Sequence, residues 1–181
     1  MSLSFITGAA GSGKTSVARE LAARGYEVHD TDDPDHTGIA GWHLRETNEY
    51  VAGFNELPVT EELLETHIWR LTDAGLAGFR EKANDQPVYL CGRLREAEAV
   101  ISASDYLIYL TVGSQTIKDR LAKRAQIPGE VEWGRESWQI EKSVAVNHEL
   151  EAEYRALGAI MINAEQSVGA IADEISRLTT E

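Results

Sequence analysis

The sequence predicts an α/β fold in which helices cover both faces of a parallel sheet. Short apolar runs alternate with helical patterns along all 181 residues, as expected for parallel strands joined by crossover helices. This length allows one domain with a complete core and is too short for two ordinary domains. We therefore expect a single domain over residues 1–181.

Each predicted strand is a short apolar run. The five runs lie near residues 3–7, 26–29, 87–91, 105–111 and 159–162. The first is followed by a helical pattern over 14–24, and Gly25 is suited to cap the C-terminus of that helix. Together these elements predict a strand–loop–helix unit at the start of the chain.

The remaining helices are predicted from apolar residues that repeat on one face. Residues 60–83 are predicted to form one long helix with Thr60 as its N-cap. Its apolar face carries Leu64, Ile68, Leu71 and Gly75. Further helical patterns cover 94–102, 114–125, 136–157 and 167–178. The last of these has a continuous apolar stripe and should cover the sheet.

Composition narrows the partners that we expect. The net charge is −13, with 30 acidic and 17 basic residues, so the chain would repel nucleic acid and anionic membranes. No apolar stretch is long enough to span a membrane, and the N-terminus lacks a signal-peptide pattern. The single cysteine, Cys91, lies in an apolar run, which fits a reducing cytoplasm. We expect a cytoplasmic monomer or homodimer.

Residues 8–15 match the phosphate-loop pattern G-x-x-x-x-G-K-[ST] at every fixed position. The loop joins a predicted strand to a predicted helix, so its backbone N–H groups can surround polyphosphate oxygens. The residues that would do so are Gly8, Ala9, Ala10, Gly11, Ser12 and Gly13. Lys14 would neutralise the terminal phosphates and Thr15 would hold Mg²⁺. We therefore expect ATP and Mg²⁺ as cofactors.

Acidic residues follow the second predicted strand. Residues two apart on a strand point to the same side, so Asp30 and Asp32 could both face the phosphate loop. One would assist Mg²⁺, and the other would orient or deprotonate an acceptor hydroxyl. The alternative is a solvated turn, which we prefer for Asp33. The strands at 87–91 and 105–111 lack the terminal acid that motors and AAA-type machines use, which favours a small-molecule kinase.

These motifs resemble the adenylate-kinase-like phosphotransferases, which include nucleoside monophosphate, shikimate, gluconate and chloramphenicol kinases. Asp30-Thr31-Asp32 is similar to the D-x-D of shikimate kinases, in which the first acid assists the metal and the second contacts the substrate hydroxyl. Residues 120–124 are similar to the R-L-x-x-R that opens the lid, and residues 162–164 to the adenine-side loop with Ala164.

The resemblance implies a three-layer P-loop NTPase fold with strand order 2-3-1-4-5, an acceptor-binding insertion at about 36–60 and a short lid at about 125–135. Arg120 and Arg124 are one helical turn apart and would clamp the ATP phosphates. A solvated basic face is the alternative, and it stays open for Arg120.

The chain also departs from the family patterns. It reads Cys-Gly-Arg at 91–93 in place of the shikimate kinase triple glycine, which argues against shikimate. Arg93 resembles the arginine that nucleoside monophosphate kinases hold at this strand exit for the acceptor's phosphate. The spacing from Asp32-Asp33 to Gly38 and Trp42 resembles a group of bacterial nucleoside-kinase-like proteins, and Trp42 could stack on an acceptor ring.

We expect an enzyme that transfers the ATP γ-phosphoryl group to a small-molecule acceptor, with a nucleoside or nucleotide favoured. Lys14, Asp32, Arg120 and Arg124 would carry catalysis, and Arg93 would orient the acceptor. Two alternatives remain open. One is a sugar or sugar-acid kinase of the gluconate or shikimate type, and the other is a regulatory NTPase without a small-molecule acceptor.

Overall fold

The structure is a computed structural model that describes residues 2–31, 39–53, 57, 59–94, 97–127 and 133–180. The strands in these residues are β1 (Leu3–Thr7), β2 (Glu27–Asp30), β3 (Ala40–Leu44), β4 (Tyr50–Ala52), β5 (His67–Leu71), β6 (Val88–Cys91), β7 (Tyr106–Thr111) and β8 (Ile160–Asn163). The helices are α1 (Lys14–Ala23), α2 (Glu61–Thr66), α3 (Asp73–Lys82), α4 (Glu98–Ala103), α5 (Ser114–Arg124), α6 (Ser137–Ala156) and α7 (Val168–Thr180).

Five strands form one parallel sheet with the spatial order β2-β6-β1-β7-β8. Counted along the chain, this order is 2-3-1-4-5, so the predicted fold class and strand order are confirmed. Strand β1 lies at the centre of the sheet, between β6 and β7, and the chain runs from it first to one side and later to the other. The loop that follows β1 therefore lies at the middle of the sheet. Ligands of open parallel sheets bind at this kind of position, beyond the carboxyl ends of the strands.

Helices cover both faces of the sheet, as predicted. Helices α1 and α7 pack on one face through buried residues that include Val17, Leu21, Ile171 and Ile175. Helices α3, α4 and α6 lie on the other face and contribute Phe79, Val100 and Tyr154. Strands β1, β6 and β7 are therefore buried on both faces, which explains why each is a continuous apolar run.

A second sheet is antiparallel, has the order β4-β3-β5 and was not predicted from the sequence. Strands β3 and β4 fall within the predicted insertion at 36–60, and β5 follows it. Trp42 of β3 and Trp69 of β5 pack edge to face with ring centroids 5.3 Å apart. Both tryptophans belong to the core that also covers the large sheet.

The single helix predicted over 60–83 is wrong, because β5 divides this segment into α2 and α3. The spacing of Ile68 and Leu71 fits a helix, but both side chains are buried when β5 pairs with β3 along its whole length. This tertiary pairing overrides the local helix preference. Each short helix has its own N-cap: the Thr60 hydroxyl accepts a hydrogen bond from the Leu63 N–H at 3.1 Å, and the Thr72 hydroxyl from the Gly75 N–H at 3.1 Å.

Gly25 follows α1 in the left-handed region, with φ of 89°, and its N–H donates to the Ala22 carbonyl at 2.9 Å. The predicted C-cap is confirmed, since this conformation favours glycine. None of the helices among the described residues is long and apolar enough to cross a membrane.

Candidate active site

The phosphate loop joins the buried end of β1 to the first residue of α1. Gly11 and Gly13 have φ of 83° and 100°, in the left-handed region where a side chain is strained. A Cβ on Gly8 would lie 2.8 Å from the Ser12 hydroxyl oxygen and 2.9 Å from the Leu110 carbonyl oxygen. The three glycines therefore allow a tight turn whose backbone lies close to the Ser12 side chain and to the end of β7.

Lys14 lies inside this turn. Its ammonium group donates hydrogen bonds to the Gly8 carbonyl at 2.9 Å and the Ala9 carbonyl at 3.0 Å. The residue is 7% exposed. A buried positive charge next to a tight loop at a helix N-terminus is suited to an anion with several oxygens.

The loop also contains a polar atom that fits such an anion. The Ser12 hydroxyl is buried and has no hydrogen-bond partner among the described residues. Buried hydroxyls normally find a partner, so a phosphate oxygen at the loop would satisfy this one. The loop of this chain therefore fits a nucleotide polyphosphate.

Arg120 braces the phosphate loop from the side of α5. One terminal nitrogen of its guanidinium donates to the Gly11 and Ser12 carbonyls at 3.2 and 3.0 Å, and the other donates to the Ala164 carbonyl at 2.8 Å. Arg120 thus joins the loop to the segment after β8. These contacts fit a role in positioning the loop, and the clamp on the ATP phosphates stays a prediction.

Arg124 lies one turn further along α5, and its environment differs. A terminal guanidinium nitrogen donates to the Trp133 carbonyl at 2.6 Å. Arg124 therefore connects the two ends of the predicted lid at 125–135. Residues 128–132 of this lid lie outside the described residues.

The segment after β8 is fixed to the start of α5. The Glu165 carboxylate accepts hydrogen bonds from the Gly113 N–H at 3.1 Å and the Thr116 hydroxyl at 2.9 Å. The Gly113 N–H, followed by the Thr116 hydroxyl, lowers the pKa of the Glu165 carboxyl. Together with Arg120, this places Ala164, the predicted adenine-side residue, next to the phosphate loop.

Strands β2 and β6 bring Asp30 and Arg93 to the same end of the sheet as the loop. Asp30 pairs with Cys91, two residues before Arg93, and Cys91 pairs in turn with Ile6 of β1. Asp30 is 9% exposed and Arg93 is half-buried. The close approach of β2 and β6 depends on Gly92, because a Cβ there would overlap the Thr31 hydroxyl.

Asp32 and Trp42 are two of the residues predicted to contact the acceptor. Asp32 lies outside the described residues, so its role stays a prediction. Trp42 is 7% exposed and packs on Trp69 in the core. Its position explains a packing role, and its stacking on an acceptor ring stays a prediction.

Oxygen ligands suited to Mg²⁺ come from Thr15 at the start of α1 and Asp30 at the end of β2. In the part of the chain that the structure describes, no group of three His, Cys, Asp or Glu side chains forms a metal site. Phosphate oxygens would have to complete the coordination, as is usual for Mg²⁺ held with a nucleotide.

Two buried tyrosines lie beneath the loop and were not predicted from the sequence as part of the site. The Tyr109 and Tyr154 rings lie 5.1 Å apart at 30°. Burial, with a smaller effect of the Glu151 charge, raises the pKa of Tyr109 to about 12, and burial also raises the pKa of Tyr154. The positive charge of Arg93 opposes both rises. The sequence offered one signal for them: Tyr109 lies inside an apolar strand, β7, that leads to the site.

Comparison with known proteins agrees with this geometry. The model of the AAA domain family matches residues 5–154. No curated protein matches the chain in sequence. In fold, the chain is similar to a shikimate kinase from Acinetobacter baumannii in complex with shikimate, at 19% identity and a TM-score of 0.53 over 98% of this chain and 92% of that one.

Two further solved structures share the fold. A deoxyadenosine kinase from M. mycoides with bound dATP has 15% identity and a TM-score of 0.56, with 100% of both chains covered. An unliganded sugar kinase from Janibacter sp. HTCC2649 has 15% identity and a TM-score of 0.50 over 97% of this chain and 92% of that one. At these identities the similarity establishes the fold alone.

Proposed function

The chain belongs to the AAA domain family and has the fold of P-loop small-molecule kinases, and from this premise we propose that it is an ATP-dependent phosphotransferase. The γ-phosphoryl group would pass to a small-molecule acceptor, with a nucleoside or nucleotide favoured. The observation that carries the proposal is the adjacency of three strand ends: the loop with Lys14 after β1, Arg93 after β6 and Asp30 at the end of β2.

Donor binding would use the loop and its lysine. Backbone N–H groups of residues 8–13 surround the phosphates, and Lys14 leaves the Gly8 and Ala9 carbonyls to contact them. Thr15 and Asp30 would hold Mg²⁺, which neutralises phosphate charge when it is bound. Ala164 would border the adenine. We expect the protein to work in the cytoplasm, because its single cysteine, Cys91, is buried and cannot form a disulfide within the chain. ATP and Mg²⁺ fit that location.

Acceptor binding would occur on the β2–β6 side of the loop. Asp32 would contact the acceptor hydroxyl and Arg93 would orient the acceptor as a fixed positive charge. The insertion at about 36–60, with β3 and β4, would form the wall of the pocket. Trp42 would support that wall from the core, since Trp69 already covers its ring.

Arg124 would stabilise the charge of the transferred phosphoryl group directly, whereas Arg120 would act through the phosphate loop. Arg120 holds the Gly11 and Ser12 carbonyls, so it keeps the loop amides directed at the phosphates. Arg124 would contact the transferred group, whose charge spreads over its oxygens in the transition state.

ADP formation from Mg²⁺–ATP, measured with nucleosides, nucleoside monophosphates, gluconate and shikimate in turn, tests the proposal. We expect turnover that depends on a nucleoside or nucleotide and is lost in Lys14→Ala. Turnover with gluconate or shikimate alone would reassign the acceptor to the sugar-acid class. Slow hydrolysis that no acceptor accelerates would refute the kinase and support a regulatory NTPase.

A further inference from the structure

Helix α6 buries polar side chains where a surface helix normally buries an apolar stripe. Gln139, Ser143 and Asn147 recur at intervals of four residues and are almost fully buried. Burying polar groups is costly unless they form hydrogen bonds, so their partners indicate what this row is for. Asn147 donates to the Val112 carbonyl at 3.0 Å, directly after β7.

The other two residues fix the segment that leads into α6. The Gln139 side-chain oxygen accepts hydrogen bonds from the Gly134, Arg135 and Glu136 N–H groups at 2.7, 3.1 and 3.3 Å. Gln139 therefore holds three successive peptide groups in place, directly after Trp133.

Ser143 fixes the side chain of Trp133. The indole N–H donates to the Ser143 hydroxyl at 3.0 Å, and that hydroxyl donates to the Gln139 carbonyl at 2.8 Å. The Trp133 ring also packs edge to face on Trp138, with centroids 5.6 Å apart. The orientation of Trp133 is thus set by its ring, its N–H group and the peptide groups that follow it.

The Trp133 carbonyl in turn accepts the 2.6 Å hydrogen bond from Arg124. The next residue is close as well, since a Cβ on Gly134 would lie 3.4 Å from the same guanidinium nitrogen. A guanidinium is planar and tethered to its side chain, so holding one terminal nitrogen restricts the directions in which its other N–H groups point.

We propose that Ser143 and Trp133 are positioning residues that orient the Arg124 guanidinium for its contact with the phosphates. The proposal rests on the proposed phosphotransfer, in which Arg124 stabilises the transferred group. This role explains why α6 buries a row of polar side chains, which packing alone does not. Small misplacements of a group that acts on a transition state are costly in rate.

The test is a double-mutant cycle between positions 124 and 133. Trp133→Phe replaces the indole by a phenyl ring and so removes the N–H donor, and Arg124→Ala removes the guanidinium. We expect Trp133→Phe to lower kcat by about tenfold with little change in the KM for ATP, and to have no further effect on kcat in the Arg124→Ala background. Additive losses at the two positions would overturn the proposal.

Matched variants separate positioning from folding. Trp138→Phe also exchanges an indole for a phenyl ring, but it keeps an aromatic ring against Trp133 and leaves the hydrogen bond from the Trp133 indole N–H to Ser143 in place. Its kcat should therefore stay within about twofold of the wild type. Ser143→Ala should reproduce the kcat loss of Trp133→Phe at an unchanged KM. A loss in Trp138→Phe equal to that in Trp133→Phe would overturn the proposal, because it would point to ring packing alone.

Nucleotide affinity provides a readout that does not need an acceptor. The dissociation constants of ADP with aluminium fluoride, which mimics the transferred group in the transition state, should be non-additive by about fivefold or more across the wild type, both single variants and the double variant. Trp133→Phe should leave the dissociation constant of ATP itself within about twofold of the wild type. If no acceptor supports turnover while this coupling persists, the proposed function fails and the positioning proposal stands. If turnover is normal and the affinities are additive within twofold, the positioning proposal fails alone.

Discussion

Tyr109 offers a test of the buried layer beneath the phosphate loop. Its hydroxyl is fully buried and forms no hydrogen bond of good geometry with a described residue, although the Ala9 N–H is close enough to lower the pKa slightly. Tyr109→Phe therefore removes an ionisable group and little else. We expect the variant to be nearly as stable as the wild type at neutral pH and more stable at alkaline pH.

The magnitude follows from the pKa of Tyr109. Burial raises it from 10.0 to about 12, so the folded protein keeps the phenol proton at pH values where the unfolded chain has lost it. Stability is therefore unaffected below pH 10 and decreases as the pH rises towards 12. At about 1.4 kcal/mol per pKa unit, the loss approaches about 2.7 kcal/mol when both states are ionised, and it is about 1.4 kcal/mol at pH 11.

Urea unfolding of the wild type and Tyr109→Phe at pH 8 and pH 11 measures this loss as a difference. Other groups that titrate in this range affect both proteins equally and cancel. Tyr50→Phe is the matched control for the loss of a phenol hydroxyl, because Tyr50 is 46% exposed on β4. Equal pH dependence of the wild type and Tyr109→Phe would refute the described burial of this phenol.

Three further predictions concern the site itself. Lys14→Ala should weaken ATP binding by at least about tenfold, since it removes a charged hydrogen-bond donor from the loop. Calorimetry measures the ATP affinity of both proteins, and an unchanged affinity would exclude Lys14 from phosphate binding. Asp32→Asn should leave ATP affinity within about twofold and remove transfer; nearly full activity in the ADP assay would remove Asp32 from the acceptor site. Gly92→Ala should cost about 1–3 kcal/mol in thermal unfolding, because the new methyl group overlaps the Thr31 hydroxyl, and Thr31→Ala should restore much of it. A Gly92→Ala variant as stable as the wild type would contradict the described contact between β2 and β6.

The large sheet could be predicted because its strands are buried on both faces. Burial of this kind produces continuous apolar runs, which short sequence windows detect directly. The small sheet escaped prediction for the opposite reason. Strand β5 carries His67 and Arg70 between apolar residues, and only its pairing with β3 makes a strand of it. Pairing between distant segments leaves no local periodicity to read.

The candidate site was predictable where chemistry fixes residue type and spacing. The loop with Lys14 follows from a pattern whose every position has a physical reason. The different contacts of the two arginines did not follow from the sequence, because helical spacing shows only that two residues share a face. Arg120 and Arg124 share a face of α5, yet one contacts the loop and the other contacts Trp133. The partners of each come from segments far away in the sequence.

The site is locally basic in a strongly acidic chain, and this contrast supports an anionic ligand. The formal net charge is −13, yet Lys14, Arg93, Arg120 and Arg124 all lie at the carboxyl end of the sheet or on the helix beside it. Lys14 and Arg120 are directed at backbone carbonyls of the loop itself. Cations that bind the carbonyl oxygens of a loop offset their partial negative charge, which lowers the electrostatic cost of bringing phosphates to the loop. Long-range repulsion by the acidic surface would slow the approach of any polyanion, so we expect ATP to associate faster as ionic strength rises, until screening weakens the local contacts.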